Sequence, residues 1–337
     1  TLAEALGESG GRLLEAVITG YEVMARVGMA MDVVSNRKRG WHGTGIIGTF
    51  GAAAAAGHLL GLNEDQMVSA LGMAGTQSSG LWAFLEEGAT CKKLHPARAA
   101  VNGLTAAVLA KGGMTGPERI LDARDGGLYR AVADSFDMKI LVNGLGTSYE
   151  ILKIDKKPYP CCRTTHHAID GALMLRDRAD LEQVERILVE TYEVGVLQCG
   201  SQGYPSSAVE AKFSIPYTVA AALVRGNVSL AEFAPEVIGD PLIQSLANRV
   251  QVTADPLFTG RYPDRWGCRV RLIDKDGSEL AVQVDDMSGS VAKPLTEEQE
   301  KRKFEGLAGE GIGADRSRKL LRTIMEIEKL DVLKQLL

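Results

Sequence analysis

The sequence predicts a mainly α protein: a large all-helical domain accompanied by a smaller α+β domain. Three observations carry this expectation. Apolar residues recur at helical spacing from Leu2 to about residue 135. Period-two alternation begins only after Ile151, in LVETYEVGVL and RVRLIDKDGSELAVQV. Helical patterning then returns at Thr296 and runs to the end of the chain. These shifts place residues 1–150 with 291–337 in the helical domain and residues 151–290 in the α+β domain.

Taken in order, Leu2 to Val34 reads as one buried helix and its continuation, with Ser9 as N-cap and Gly40 beyond the stop. Thr44 to Leu62 is a run of small and apolar residues whose length raises the question of a membrane span. His58 and the many glycines and alanines argue against one, and small side chains suit a helix packed closely on its neighbours. A further helix begins at Asn63, another covers HPARAAVNGLTAAVLAKGG up to Gly112-Gly113, and GPERILDARDGGLYRAVAD also reads as helical. In the α+β part, Asp276-Gly277 between two β-rich runs marks a hairpin, while AVEAKFSIPYTVAAALVRG and LIQSLANRV are helical. Thr296 and Gln299 form a capping box, and DRSRKLLRTIMEIEKLDVLKQLL reads as a closing amphipathic helix.

Composition narrows the function. The 38 Lys+Arg against 43 Asp+Glu leave a net charge of −5, so there is no large basic field for a phosphate backbone, and nucleic acid is not an expected partner. Only 5% of residues are aromatic against 45% hydrophobic overall, so aliphatic side chains fill the cores. Five cysteines, an odd number behind no secretory signal, favour reduced thiols in a cytoplasmic setting without disulfides.

Several motifs fail on context. Gly43-x-Gly45-x-x-Gly48 matches a dinucleotide fingerprint, but a Rossmann turn needs a hydrophobic strand before it, and SNRKRGWH is not one. Cys161, Cys162, His166 and His167 resemble a metal cluster but lack a second Cys/His pair at a usual spacing, so no metal is expected. Neither a CxxC, a Walker loop nor a Gly-x-Ser-x-Gly elbow occurs. What remains is a set of cations and imidazoles in apolar or glycine-rich surroundings. His42 sits at a glycine-rich helix start, Lys92 and Lys93 precede Leu94-His95-Pro96, and Lys156 and Lys157 precede Pro158-Tyr159-Pro160, with His166 and His167 soon after. Each alone could be a solvated lysine or a core histidine. Together they suit a substrate with more than one carboxylate, which lysines bind as point charges while histidines move protons near neutral pH.

Five blocks in succession, GWHGTGIIGTFGAAAAAGHLLGL with ALGMAGTQSSGL, KKLHPARAAVNGLTAAVLAKGG, KPYPCCRTTHHAIDGAL and AKFSIPYTVAAALVRG, resemble the MmgE/PrpD family. Its activities include dehydration of 2-methylcitrate, decarboxylation of cis-aconitate and epimerisation of iminodisuccinate. The resemblance implies a discontinuous helical domain, an α+β lid domain, an active site in the cleft between them, a homodimer, and neither metal nor organic cofactor. It assigns catalytic roles to His42, Lys92 and Lys157 and a pocket position to His166; Cys162 and Lys93, beside these residues in the sequence, are expected to join His166 in binding substrate. Two departures stand out: Gly43 replaces a frequent proline, and Cys162 falls where the decarboxylase has a histidine, which weakens the decarboxylase reading. Family members also carry a further segment ahead of the point where this chain begins, with Asp, Thr and a His-Pro-Gly block, so the chain is expected to lack an N-terminal part. The implied activity is cofactor-independent dehydration of a 2-methylcitrate-like acid. An epimerase, a decarboxylase and a truncated acid-binding homologue are the alternatives.

Overall fold

The computed structural model describes residues 1–201 and 203–333. Most of them are helical, and the chain divides into two compact units. The first comprises Thr1–Phe84, Thr90–Ile154 and the chain from Thr296 onward; the second comprises Leu85–Ala89 and Asp155–Leu295.

The first unit opens with α1 (Leu2–Leu6), α2 (Gly10–Met29) and α3 (Val33–Lys38) where one helix and its continuation are expected. Gly7 in the left-handed conformation ends α1, Ser9 caps α2 by accepting from Arg12 N, and Asp32 caps α3 through Val34 N and Ser35 N. The apolar periodicity continues across these breaks, which is why it does not reveal them. Then follow α4 (Gly43–Leu59) and α5 (Glu64–Thr76), the latter opened by a reciprocal Asn63–Gln66 capping box. After α6 (Leu94–Lys111) comes the short α7 (Leu128–Val132).

Helix α4 packs on α2, α5 and α6. Its sequence of Gly, Ala and Thr around Ile46 and Phe50 lets three neighbours approach one helix, the reason a 17-residue element needs so few large side chains. Phe50 and Ile46 join Val27, Met31, Tyr129 and Val132 in one core cluster, where the Tyr129 hydroxyl donates to Val27 O. Residues 116–127, expected to be helical, instead form turns. Gly126 at φ 74 and Gly127 with extended backbone end the helical pattern, and only Leu128–Val132 continues it.

The second unit contains α8 (His166–Arg176), α9 (Glu193–Cys199), α10 (Ala208–Ala211), α11 (Ile215–Arg225), α12 (Pro235–Ile238), α13 (Pro241–Ala247) and α14 (Pro256–Arg261). Its sheet is built of β1 (Val184–Thr191), β2 (Val250–Ala254), β3 (Cys268–Asp274) and β4 (Glu279–Val284), in the order β2-β1-β3-β4. β1 pairs parallel with β2 and antiparallel with β3, and β3 pairs with β4 across the Asp276-Gly277 turn read from the sequence. Burial alternates along β1 and β3, and α8 packs on β3 and β4 while α11 packs on α8 and β2. LVETYEVGVL is a strand only to Thr191; its second half is α9, because Tyr192 N-caps a helix there.

The chain re-enters the first unit with α15 (Glu297–Ile312), opened by the Thr296–Gln299 capping box, and α16 (Ala314–Ile324). The closing helix thus ends sooner than its pattern suggests, and the last four residues of that segment lie outside the described ones. Among the described residues no helix is long and apolar enough to cross a membrane.

Candidate active site

Four of the five histidines of the chain fall into two groups, one in each unit; His58, on the surface with Arg12 and Glu15, is the exception.

In the first unit the segments around residues 40–42 and 80–82 pair as an isolated antiparallel bridge. His42 N donates to Gly80 O at 2.9 Å and Trp82 N to Gly40 O at 2.9 Å. His42 is thereby set at the N-cap of α4, with its ring edge-on to Trp82 (4.9 Å between centroids) and Phe84 (5.9 Å). The His42 Nδ1 lies 2.7 Å from Nδ1 of His95, which enters from the first turn of α6. Two glycines make this meeting possible. A Cβ on Gly45 would lie 2.1 Å from Ser79 O, and one on Gly80, whose φ is +127°, would lie 3.2 Å from His95 Nδ1.

Lys92 lies in the 3-10 turn Thr90–Lys93, and the Arg37 guanidinium lies 4.4 Å over the Trp82 ring. His42, only 5% exposed, is pushed down to about 4 by burial first, then by the nearby charges of His95, Lys92 and Arg37. Burial and Lys92 lower His95 as well. Both imidazoles are therefore neutral near pH 7, and in a contact between two ring nitrogens one must carry the proton and the other accept it. Lys93 is exposed at the N-cap of α6.

In the second unit, Lys157 is exposed on the loop before α8 and its Nζ donates to Cys161 O at 3.2 Å. Cys162, buried, donates its backbone N to Lys212 O and N-caps the 3-10 turn Arg163–Thr165 that leads into α8. His166 and His167 occupy the first turn of α8, at 0% and 3% exposure. Burial, then the charges of Lys157 and Arg163, holds His166 down at about 3; burial, then Arg163, holds His167 at about 4. Neither ring nitrogen of His166 makes a well-formed hydrogen bond among the described residues, which sets it apart from an ordinary satisfied core histidine, although the nearby Cys161 backbone offsets part of the lowering. Below it Asp170 accepts from the Tyr159 hydroxyl (2.6 Å) and Ser288 N (2.6 Å), tying α8 to two loops. Arg163 pairs with Asp155 and stacks 3.9 Å over Trp266.

Thus the structure brings Lys92 toward His42 in one unit and gathers Lys157, Cys162 and His166 in the other. His95 and Arg163 are not among the residues the sequence singles out; the scarcity of histidine is a signal for the first, and the second carries none. Among the described residues no three His, Cys, Asp or Glu side chains are grouped to hold a metal ion.

Neutral buried imidazoles under the field of lysines are equipment for binding an anion and exchanging a proton with it, here on a mainly α scaffold with a small mixed sheet. Family comparison gives this scaffold its place. The model described as the MmgE/PrpD N-terminal domain matches residues 1–141, and that of the MmgE/PrpD C-terminal domain matches residues 159–329. The chain belongs to the MmgE/PrpD family. It is 28% identical to the cis-aconitate decarboxylase of Aspergillus terreus strain NIH 2624, over 96% of this chain and 69% of that protein. It is likewise 28% identical to the Homo sapiens cis-aconitate decarboxylase, over 98% of this chain and 70% of that protein. The mitochondrial 2-methylcitrate dehydratase of Yarrowia lipolytica is 22% identical over 80% of this chain and 53% of its own length.

Proposed function

We propose that the protein is a cofactor-independent lyase acting on a di- or tricarboxylate, moving a proton at the carbon α to a carboxylate through an enediolate-like species. The observation that carries this reading is His42: buried, held neutral, paired with His95 and placed in the field of Lys92. A neutral imidazole can take a proton from carbon or return one. A lysine nearby stabilises the negative charge that develops on the substrate, the larger part of the catalytic requirement. Lys92 and Lys157 hold substrate carboxylates, and His166, with Cys162 and Lys93, contributes to binding.

Dehydration of a 2-methylcitrate-like acid is the first reading. Decarboxylation of a cis-aconitate-like acid is the second, and one observation favours it: the relatives named decarboxylases align over 95% to 98% of this chain, those named dehydratases over 63% to 80%. Cys162, standing where a histidine is expected in the decarboxylase, weighs the other way. The two reactions differ in what leaves, water or CO₂, and share the enediolate-like electron pair that must be formed or protonated.

Incubation with 2-methylcitrate, cis-aconitate and related acids in deuterated water, followed by NMR, reads both product and proton exchange. Turnover or exchange of at least one acid is expected. Lys92→Ala and Lys157→Ala are each expected to lower kcat/KM about a hundredfold, the loss of one preorganised electrostatic contact. Binding without exchange would favour a non-catalytic acid-binding homologue, and unchanged turnover in both variants would remove the assigned roles.

A further inference from the structure

The His42–His95 contact has a chemical problem built into it. His42 is 5% exposed and lies near Lys92 and Arg37, so it is a poor place to leave a positive charge. A base that cannot hold the proton it removes is a weak base. Yet its Nδ1 is 2.7 Å from a second imidazole that is less buried. His95 faces fewer opposing charges: burial and Lys92 depress it, whereas His42 also answers to Arg37 and to His95 itself. The elements packed around the pair supply Lys92 from the 3-10 turn and Arg37 from α3 as charged neighbours, with Trp82 and Phe84 as neutral ones.

We propose that His95 is a positioning residue for His42, accepting the His42 Nδ1 proton as His42 Nε2 receives one, so that the charge of the protonated pair rests on the less buried ring. In the resting protein His42 carries its proton on Nδ1 and donates it to His95 Nδ1, while His95 carries its own proton on Nε2. When the substrate C–H bond breaks, its electron pair stays on the substrate as the enediolate and the proton forms an N–H bond at His42 Nε2. The His42 Nδ1–H bond breaks in the same step and that proton passes to His95 Nδ1. His42 ends neutral in the opposite tautomer, His95 is an imidazolium, and the negative charge on the substrate balances it. Protonation of the substrate runs the same transfers in reverse. The geometry of the glycines fits this role. Gly45 lets the Ser79 carbonyl cross the start of α4, and Gly80 leaves the space into which the His95 ring reaches, so the two rings meet across 53 residues of sequence.

The inference rests on the lyase reading for its kinetic arm and is independent of it in its spectroscopic arm. ¹⁵N-histidine labelling of the intact protein, with long-range ¹H–¹⁵N spectra near pH 7.5, is expected to show His42 protonated at Nδ1 and unprotonated at Nε2. The reverse tautomer in the resting protein would overturn the proposal even if every acid tested were inert. For an acid that is turned over, His95→Gln is expected to leave KM within about twofold and lower kcat about a hundredfold, since glutamine can hydrogen-bond but cannot take the proton. The acid limb of its kcat profile is expected to move. Added imidazole is expected to restore part of the kcat of His95→Ala and none of that of His42→Ala. A His95→Gln protein with native kcat and native pH profile would also overturn the proposal. Should that variant not fold, the tautomer of the native protein decides alone.

Discussion

Arg26 sits 4% exposed on α2, and its guanidinium is spent entirely on the interior. Nε donates to Glu22 Oε1 at 2.6 Å, Nη1 to Asn143 O (2.7 Å), Ile140 O (3.2 Å) and Leu141 O (3.5 Å), and Nη2 to Ser148 O (3.2 Å). Glu22, 7% exposed, uses its other oxygen to accept from Glu150 N at 2.7 Å. This pair fastens the irregular segment 138–153 to α2, a stretch whose two 3-10 turns have few backbone bonds of their own. Arg26→Ala removes one ionic and four carbonyl hydrogen bonds and leaves the Glu22 carboxylate buried with a single donor. Breaking a buried pair from one side costs about 3–5 kcal/mol, so a loss of about 4 kcal/mol is expected. Replacing both partners in Glu22→Met/Arg26→Met removes the stranded charge and is expected to recover at least half of that loss. Urea unfolding followed by fluorescence is the assay, because Trp41 and Trp82 report on the first unit. A cost below about 1 kcal/mol for Arg26→Ala, the level of an exposed ion pair, would refute the reasoning.

Two further outcomes follow from the histidines and glycines. His42, His166 and His167 are held neutral in the fold, at about 4, 3 and 4 against an ordinary 6.5. Below pH 6.5 the unfolded chain therefore binds protons that the folded one does not. Stability is expected to be full above that pH and to fall as the pH drops toward 4, each histidine contributing up to about 1.4 kcal/mol per pH unit. Urea midpoints at pH 7.5 and 5 measure this, and His166→Gln is expected to flatten the slope; equal midpoints would count against neutral burial. Gly80→Ala forces a Cβ into a backbone at φ +127° and to 3.2 Å from His95 Nδ1. It is expected to cost about 1–3 kcal/mol and to separate the two rings, read from the melting temperature and the His42 ¹⁵N shifts. A protein as stable as the native one, with unchanged shifts, would show that the bridge yields freely.

The elements most legible in the sequence are those with a local chemical signal. Ser9, Asn63 and Thr296 announce helix starts because a side-chain oxygen satisfies backbone N–H groups three residues on, an arrangement set within one turn of chain. Asp276-Gly277 announces a hairpin for the same local reason. The errors fall where the pattern continues but the backbone does not. Apolar spacing runs through Gly7 and through Ala30–Asp32, so three helices read as one helix and its continuation; LVETYEVGVL keeps its apolar character while passing from strand to helix at Tyr192. Burial sets that pattern, and a turn between two buried elements need not interrupt it.

The candidate site residues of the two units divide along the same line. His42, Lys92, Lys157 and His166 could be singled out because each is a polar residue in an apolar or glycine-rich run, and such a residue needs a reason to be there. His95 stands in as conspicuous a place, one turn past Lys92, but its meaning depends on which residue it meets. That contact is made by the crossing of α4, α6 and the 77–82 loop, held by Ser78 to Ile46 O and by Asn102 to Gln77 O. No spacing rule connects positions 42 and 95. Gly45 belongs to a run whose small residues suit close helix packing, yet it admits a loop carbonyl as well, and Gly80, which no sequence signal marks, leaves room for the His95 ring. A glycine-rich helix start that fails as a nucleotide loop can therefore serve a site in another way, by what the missing side chains let come close.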